Sequence, residues 1–186
     1  LSFLIHRGFT ETHRMYGLRL AVQKADLTPF WPFVQQLAAR GVVITTLTAE
    51  RHQNPAYVRQ LHELQNAVAP DWPDPERVPF TPVGFDDFAR RLERERQACP
   101  DALFIAKAGS TAIGYCGLSA LGTAVHPGYR RQGVATALKV TAIADARQRG
   151  KATVFTCTAN PAMVAINEKL GYQHETVEVR LGKSIT

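Results

Sequence analysis

Val125-His126-Pro127-Gly128-Tyr129-Arg130-Arg131-Gln132-Gly133-Val134-Ala135 is the stretch that decides how this chain is read. A short apolar run, residues 121–125, is broken by His126-Pro127-Gly128, and a long apolar-striped segment, residues 133–149, follows. This pattern predicts a strand, a turn and a helix stopped by Gly150. A helix N-terminus carries unpaired N–H groups and the positive end of the helix dipole, so it attracts anions. Glycine lets backbone approach a phosphate closely, and Arg130 and Arg131 add permanent charge. The spacing is neither GxxxxGK[ST] nor GxGxxG, which excludes a nucleoside-triphosphate loop and a dinucleotide fingerprint.

Working outward, residues 152–158 read as a strand, and residues 161–170 as a helix capped by Asn160 with Pro161 at its first position. Gly171 ends that helix, and residues 172–181 read as a returning strand. Upstream, residues 42–48 are β-branched and predict a strand. Residues 55–68 carry a helical stripe of Val58, Leu61, Leu64 and Val68. A loop is expected at residues 71–75, with Trp72 in it, and a second helix at residues 84–98 with Phe85, Phe88 and Leu92 inward. Residues 102–107 and 111–119 read as a hairpin. The join Gly117-Leu-Ser-Ala-Leu-Gly122 has no preferred two-residue turn, which implies short strands or residues missing between Ser119 and Ala120. This order of strands and helices indicates an α/β or α+β fold, a sheet with helices on its faces.

The chain has 186 residues, 45% of them apolar, which suits one ordinary core. No apolar run is long enough to span a membrane, and the N-terminus lacks the plan of a secretory signal. A cytoplasmic location is therefore expected. The net charge of +6 favours an anionic partner. Arginines at residues 84–98 alternate with glutamates, and basic residues are not interleaved with aromatics, so no nucleic-acid partner is expected. Cys99, Cys116 and Cys157 show no metal-ligand spacing and are expected to be buried free thiols; no metal is expected.

Arg130-x-x-Gly133-x-Ala135, after a Val-x-Pro strand end, resembles the (Q/R)-x-x-G-x-(G/A) signature of the GNAT superfamily of N-acetyltransferases. Asn160-Pro-Ala-Met-Val-Ala-Ile-Asn-Glu-Lys-Leu-Gly-Tyr172 is similar to that family's N-x-x-A-x-x-x-Y-E-K-x-G-F. Both signatures stand in order, and the resemblance covers residues 41–182. It implies a mixed, mostly antiparallel sheet splayed at the cofactor site, with acetyl-CoA (CoA) in the splay. Thr123 and Val125 would hold the pantetheine arm by main-chain bonds. The N–H groups from Arg131 through Gln132, Gly133, Val134 and Ala135 to Thr136 would hold the pyrophosphate, with the Arg130 and Arg131 side chains adding contacts. Asn160 would meet the arm, and Trp72 would wall the acceptor pocket. The implied reaction is direct transfer of an acetyl group to a primary amine of a small molecule in a ternary complex, with the Val125 N–H stabilising the oxyanion. The family's tyrosine acid aligns with Asn167, which could bond the cofactor sulfur or arm but is not an acid. No carboxylate lies on residues 121–125, leaving Tyr115, His62, Glu63 and His126 as titratable candidates. These departures support an alternative, a degenerate acetyl-CoA-binding domain with a structural or regulatory role.

One internal echo bears on organisation. Phe3-Leu-Ile-His-Arg-Gly-Phe-Thr-Glu11 resembles Ile166-Asn-Glu-Lys-Leu-Gly-Tyr-Gln-His174, each a helix end, a Gly stop, an aromatic and a strand. Residues 1–26 are accordingly expected to be the helix–strand tail of a preceding GNAT-like domain, residues 27–40 a linker helix, and residues 41–186 the acetyltransferase domain. The absence of an initiator Met leads to the expectation of a sequence that starts inside a longer gene product. The implied layout resembles tandem families of the mycothiol synthase type, and a homodimer or an intramolecular pair of such domains is the expected assembly.

Overall fold

Each buried apolar stripe of this chain meets a sheet face, and the sheets are two. The computed structural model describes residues 2–54, 56–72, 80–99, 101–117 and 122–183. In chain order the elements are α1 (Ser2–His6), β1 (Thr10–Ala21), α2 (Trp31–Ala39), β2 (Val42–Thr46), α3 (Leu47–Gln53), α4 (Tyr57–Val68), α5 (Phe85–Ala98), β3 (Leu103–Ala108), β4 (Thr111–Gly117), β5 (Thr123–Val125), α6 (Val134–Gln148), β6 (Thr153–Thr158), α7 (Pro161–Lys169) and β7 (Gln173–Gly182). One sheet has the order β2-β3-β4-β5 and the other β6-β1-β7. Every strand pairing within each sheet is antiparallel. Among the described residues no ladder joins β5 to β6, so the sheets part between those strands.

Residue alternation in β3 explains how the first sheet is buried on both faces. Leu103 and Ile105 face Leu61, Leu64, Phe88 and Leu92 of α4 and α5. Phe104 and Ala106 face Val134, Ala137, Leu138 and Ala142 of α6. The same helix then turns Val140, Ile143 and Ala146 toward Leu18 and Leu20 of β1 and Val154 of β6. α6 is thus apolar almost all round and bridges the two sheets. An ion pair between Glu50 on α3 and Lys107 on β3, 2.7 Å, is largely withdrawn from solvent.

The fold class and the helix and strand pattern follow the sequence, with local corrections. The strand expected at residues 42–48 stops at Thr46, because the Thr46 hydroxyl accepts from the Ala49 N–H at 3.3 Å and caps a helix, α3, that periodicity did not show. The linker helix expected at residues 27–40 begins as a 3₁₀ turn over Thr28–Phe30 and is α-helical only from Trp31. Of the three cysteines only Cys116 is buried; Cys99 is half-buried and Cys157 exposed, since Cys157 sits on the outer face of β6. The question raised at Ser119 and Ala120 lies outside the described residues, as do Leu121 and most of the loop after Trp72.

Residues 10–21, read in the sequence as the tail of a preceding unit, form the middle strand of the second sheet. β1 pairs with β6 from Tyr16↔Thr158 to Ala21↔Thr153 and with β7 from Thr10↔Gly182 to Arg19↔Gln173. At Gly17 the strands crowd: a Cβ there would stand 2.2 Å from Thr176 Oγ1 and 2.9 Å from Phe155 Cζ. Gly17→Val should therefore cost about 1–3 kcal/mol in urea denaturation, through overpacking. Deleting residues 2–21 should remove the cooperative thermal transition, because it strips β6 and β7 of their shared partner; a deletion that melts like the whole chain would contradict this.

Candidate functional site

β5 delivers the chain to the site. Its last residue, Val125, pairs with Gly114 of β4, and the His126 N–H donates to the Ile113 carbonyl at 2.8 Å, so the turn that follows is anchored to the sheet. The His126 ring nitrogen Nδ1 accepts from the Gly128 N–H at 3.2 Å, and Pro127–Tyr129 form a 3₁₀ turn. Arg131 then adopts φ +61°, unusual for a residue with a Cβ, and Gly133 φ +87°. These two left-handed residues swing the chain into α6. A Cβ added to Gly133 would meet nothing within 4 Å, so glycine is required there by backbone conformation rather than by contact.

Gly133 is the N-cap of α6 and supplies no side-chain cap. The N–H groups of Val134, Ala135 and Thr136 belong to the first turn and have no intrahelical acceptor. A fifteen-residue helix directs its positive end at this point. Arg131 and Gln132 are exposed beside it, and the Gln132 amide donates to the Gly128 carbonyl at 3.1 Å. Arg130 is held more tightly: its Nε donates to the Val125 carbonyl at 3.1 Å and its Nη1 meets Asp71 Oδ2 at 2.7 Å. That ion pair ties the phosphate-type loop to the segment carrying Trp72, and sequence spacing gave no sign of it. Trp72 itself is partly exposed at the end of that segment.

A cavity lies between the two sheets. It is lined by Cys116 and Thr123 at the facing ends of β4 and β5, by Phe155 and Thr156 of β6, by Lys139 of α6, and by Tyr172. The Thr123 hydroxyl donates to Cys116 Sγ at 3.2 Å. Lys139 was missed in the sequence reading. The signal was present: a lysine on a helix whose neighbours Leu138, Val140, Ala142 and Ile143 leave no polar face must be buried.

Asn160 caps α7, its Oδ1 accepting from the Ala162 N–H at 2.9 Å. Asn167, in the last turn of α7, is only 1% exposed, and its Oδ1 has no hydrogen-bond partner among the described residues. The other titratable candidates are not brought to the gap. Tyr115 donates to Gln65 Oε1 within the core under α4, and burial raises its pKa. The His62 ring donates to the Val83 carbonyl at 2.6 Å and packs edge-on to Phe85. Glu63 is exposed on α4. Among the described residues no cluster of three or more His, Cys, Asp or Glu side chains could hold a metal ion, and no helix is long and apolar enough to cross a membrane.

An acyl-CoA fits these residues on two observations: an uncapped helix N-terminus flanked by Arg131, and an unpaired gap between sheet edges that begins at the same strand end.

Residues 61–172, more than half of the chain, match the profile of the Acetyltransferase (GNAT) family. No curated protein matches the sequence. Among solved structures, a GCN5-related N-acetyltransferase from Sphaerobacter thermophilus superposes with a TM-score of 0.67 at 15% identity, over 96% of this chain and 53% of its own. The glucosamine N-acetyltransferase region of a fungal multi-domain β-N-acetylglucosaminidase gives 0.65 at 11% identity, over 97% of this chain and 22% of its own. A tandem GNAT protein from the clavulanic acid biosynthesis pathway gives 0.59 at 18% identity, over 96% and 56%. The chain thus spans about half or less of the length of these structures, and at such identities they establish the fold. With both glycine-centred signatures inside the matched region and the strands parted beside the first, the chain belongs to the acetyltransferase (GNAT) family.

Proposed function

We propose that the chain transfers an acetyl group from acetyl-CoA to a primary amine of a small molecule by direct attack in a ternary complex. The observation that carries this reading is the unpaired gap between β5 and β6, opening beside the uncapped N-terminus of α6. In this reading the N–H groups from Arg131 to Thr136 hold the pyrophosphate, where charge and dipole act together. The Arg130, Arg131 and Gln132 side chains flank it. Main-chain groups of Thr123 and Val125 pair with the pantetheine arm in the manner of an added strand. Asn160 and Asn167 face the arm from α7. When bound, acetyl-CoA supplies the acetyl group as a thioester already activated for attack by an amine. In this reading the Val125 N–H donates to the carbonyl oxygen as charge grows there.

The acceptor enters from the side of Trp72 in this reading. Arg130, shared between the Val125 carbonyl and Asp71, couples the acceptor segment to the loop that holds the cofactor. A second reading, a degenerate acetyl-CoA-binding domain, is favoured by one observation: Asn167 is buried where the family keeps a tyrosine acid and has no proton to give.

Residues 1–26 fit an origin in a preceding unit of the same kind. Their helix, positive-φ Gly8 (+81°) and strand repeat α7, Gly171 (+91°) and β7, and the two strands pair antiparallel as if related by a local two-fold axis. Phe3, exposed on α1, stands where Ile166 packs into the core from α7.

Release of thiol from acetyl-CoA across a panel of primary amines tests the main reading; tight CoA binding without release for any amine selects the degenerate one. Gly133→Glu should weaken CoA binding at least about 100-fold, roughly 2.7 kcal/mol, in calorimetry; unchanged affinity would remove the phosphate site from this loop. Asp71→Ala should alter stability by no more than about 1 kcal/mol, since the pair is half-exposed. It should raise the acceptor KM while leaving CoA affinity unchanged.

A further inference from the structure

The least expected group in the molecule is Lys139. It projects from the middle of α6 beneath the gap, is 4% exposed, and makes no hydrogen bond or ion pair with any described residue. Its Nζ stands 5.4 Å from the centroid of the Tyr172 ring, a weak cation–π contact. Withdrawing an ammonium from water without a partner costs stability, and methionine or leucine would fill the same volume without that cost. A cation in this position needs a purpose that the folded scaffold alone does not supply.

The cavity around it holds about 20 Å³, room for a water molecule, and opens between the first residue of β5 and the middle of β6. Cys116 and Tyr172 are the other titratable groups among its described lining residues, and no carboxylate is among them. Burial lowers the Lys139 pKa below that of an ordinary lysine, with Cys116 acting in the opposite sense. Burial raises the pKa of Tyr172, so its phenol stays neutral. Among the described residues lining this cavity, Lys139 is therefore the one side chain that can carry positive charge there.

We propose that Lys139, on the floor of the gap between β5 and β6, faces the sulfur of the acyl thioester and protonates it as the acyl group leaves. This rests on the reading of the gap as the acetyl-CoA site. The balance is simple. The acceptor nitrogen bonds to the acyl carbon and sheds a proton to water. The carbon–sulfur bond breaks with its electron pair on sulfur, which takes a proton from Nζ. A water in the cavity returns a proton to the neutral amine. The lysine thereby fills the vacancy that Asn167 leaves, from a different helix.

The test uses the full chain with CoA as probe, and reads the ultraviolet absorbance of the CoA thiolate against pH. In the wild-type complex the thiol should titrate about one pH unit or more below free CoA, the effect of an adjacent cation. Lys139→Met should abolish that shift while changing CoA affinity less than about threefold at neutral pH, where the thiol is protonated in both complexes, and without ligand it should melt no lower than wild type. Lys139→Arg should keep part of the shift, and Cys116→Ser should keep all of it, which separates the lysine from the neighbouring thiol. A wild-type complex with an ordinary thiol pKa, or a shift that survives Lys139→Met, overturns the proposal and leaves the cofactor site standing. A wild-type chain that binds no CoA overturns both. Should Lys139→Met fail to fold, the presence or absence of the shift in wild type and in Lys139→Arg decides.

Discussion

β5 and β6 do not hydrogen-bond to each other, and most of the molecule is arranged around that fact. Sheet edges usually close on a neighbour, because unpaired N–H and C=O groups away from water are costly. Here two edges are held apart by a single helix. α6 places Leu138 and Ala142 against the first sheet and Val140, Ile143 and Ala146 against the second, so its packing fixes the separation. The same helix begins where β5 ends. The anion-attracting N-terminus and the gap are therefore set by one element, and neither can shift without the other.

The second sheet depends on a strand remote in sequence. β1 lies about 130 residues before β6 and yet separates it from β7. Such a pairing carries a loop-closure cost that grows slowly with length, and the ladders on both edges of β1, together with Leu18 and Leu20 in the core, offset it. The helical cover shows the same economy. α4 and α5 close one face of the first sheet, and α6 closes the other while also reaching β6 of the second, which is why a polar side chain on α6 can reach the gap.

Two buried polar side chains on α6 and α7 stand out: Asn167 buries an amide oxygen with no partner among the described residues, and Lys139, 4% exposed, brings an ammonium to the cavity between the sheets, so each is costly in a purely structural position. Departures from full polar satisfaction concentrate where a protein binds or transforms something. By contrast Glu50 with Lys107 and Tyr115 with Gln65 are buried polar pairs that satisfy each other, and they hold α3 and α4 to the first sheet.

The loop from Val125 to Ala135 was legible in the sequence, as were Asn160 as a cap and Gly171 as a stop. Each rests on chemistry within a few residues: a left-handed φ that favours glycine, a side-chain oxygen in reach of a nearby N–H, a proline where no donor is needed. Helix α3 was missed because its cap, Thr46, ends a β-branched run, and the strand signal masked it. The partner of β1, the ion pair that draws Arg130 to Asp71, and the confinement of Lys139 were settled by tertiary structure. They depend on which distant surfaces come together, and a local pattern of residues cannot encode the neighbours that long-range packing brings to it.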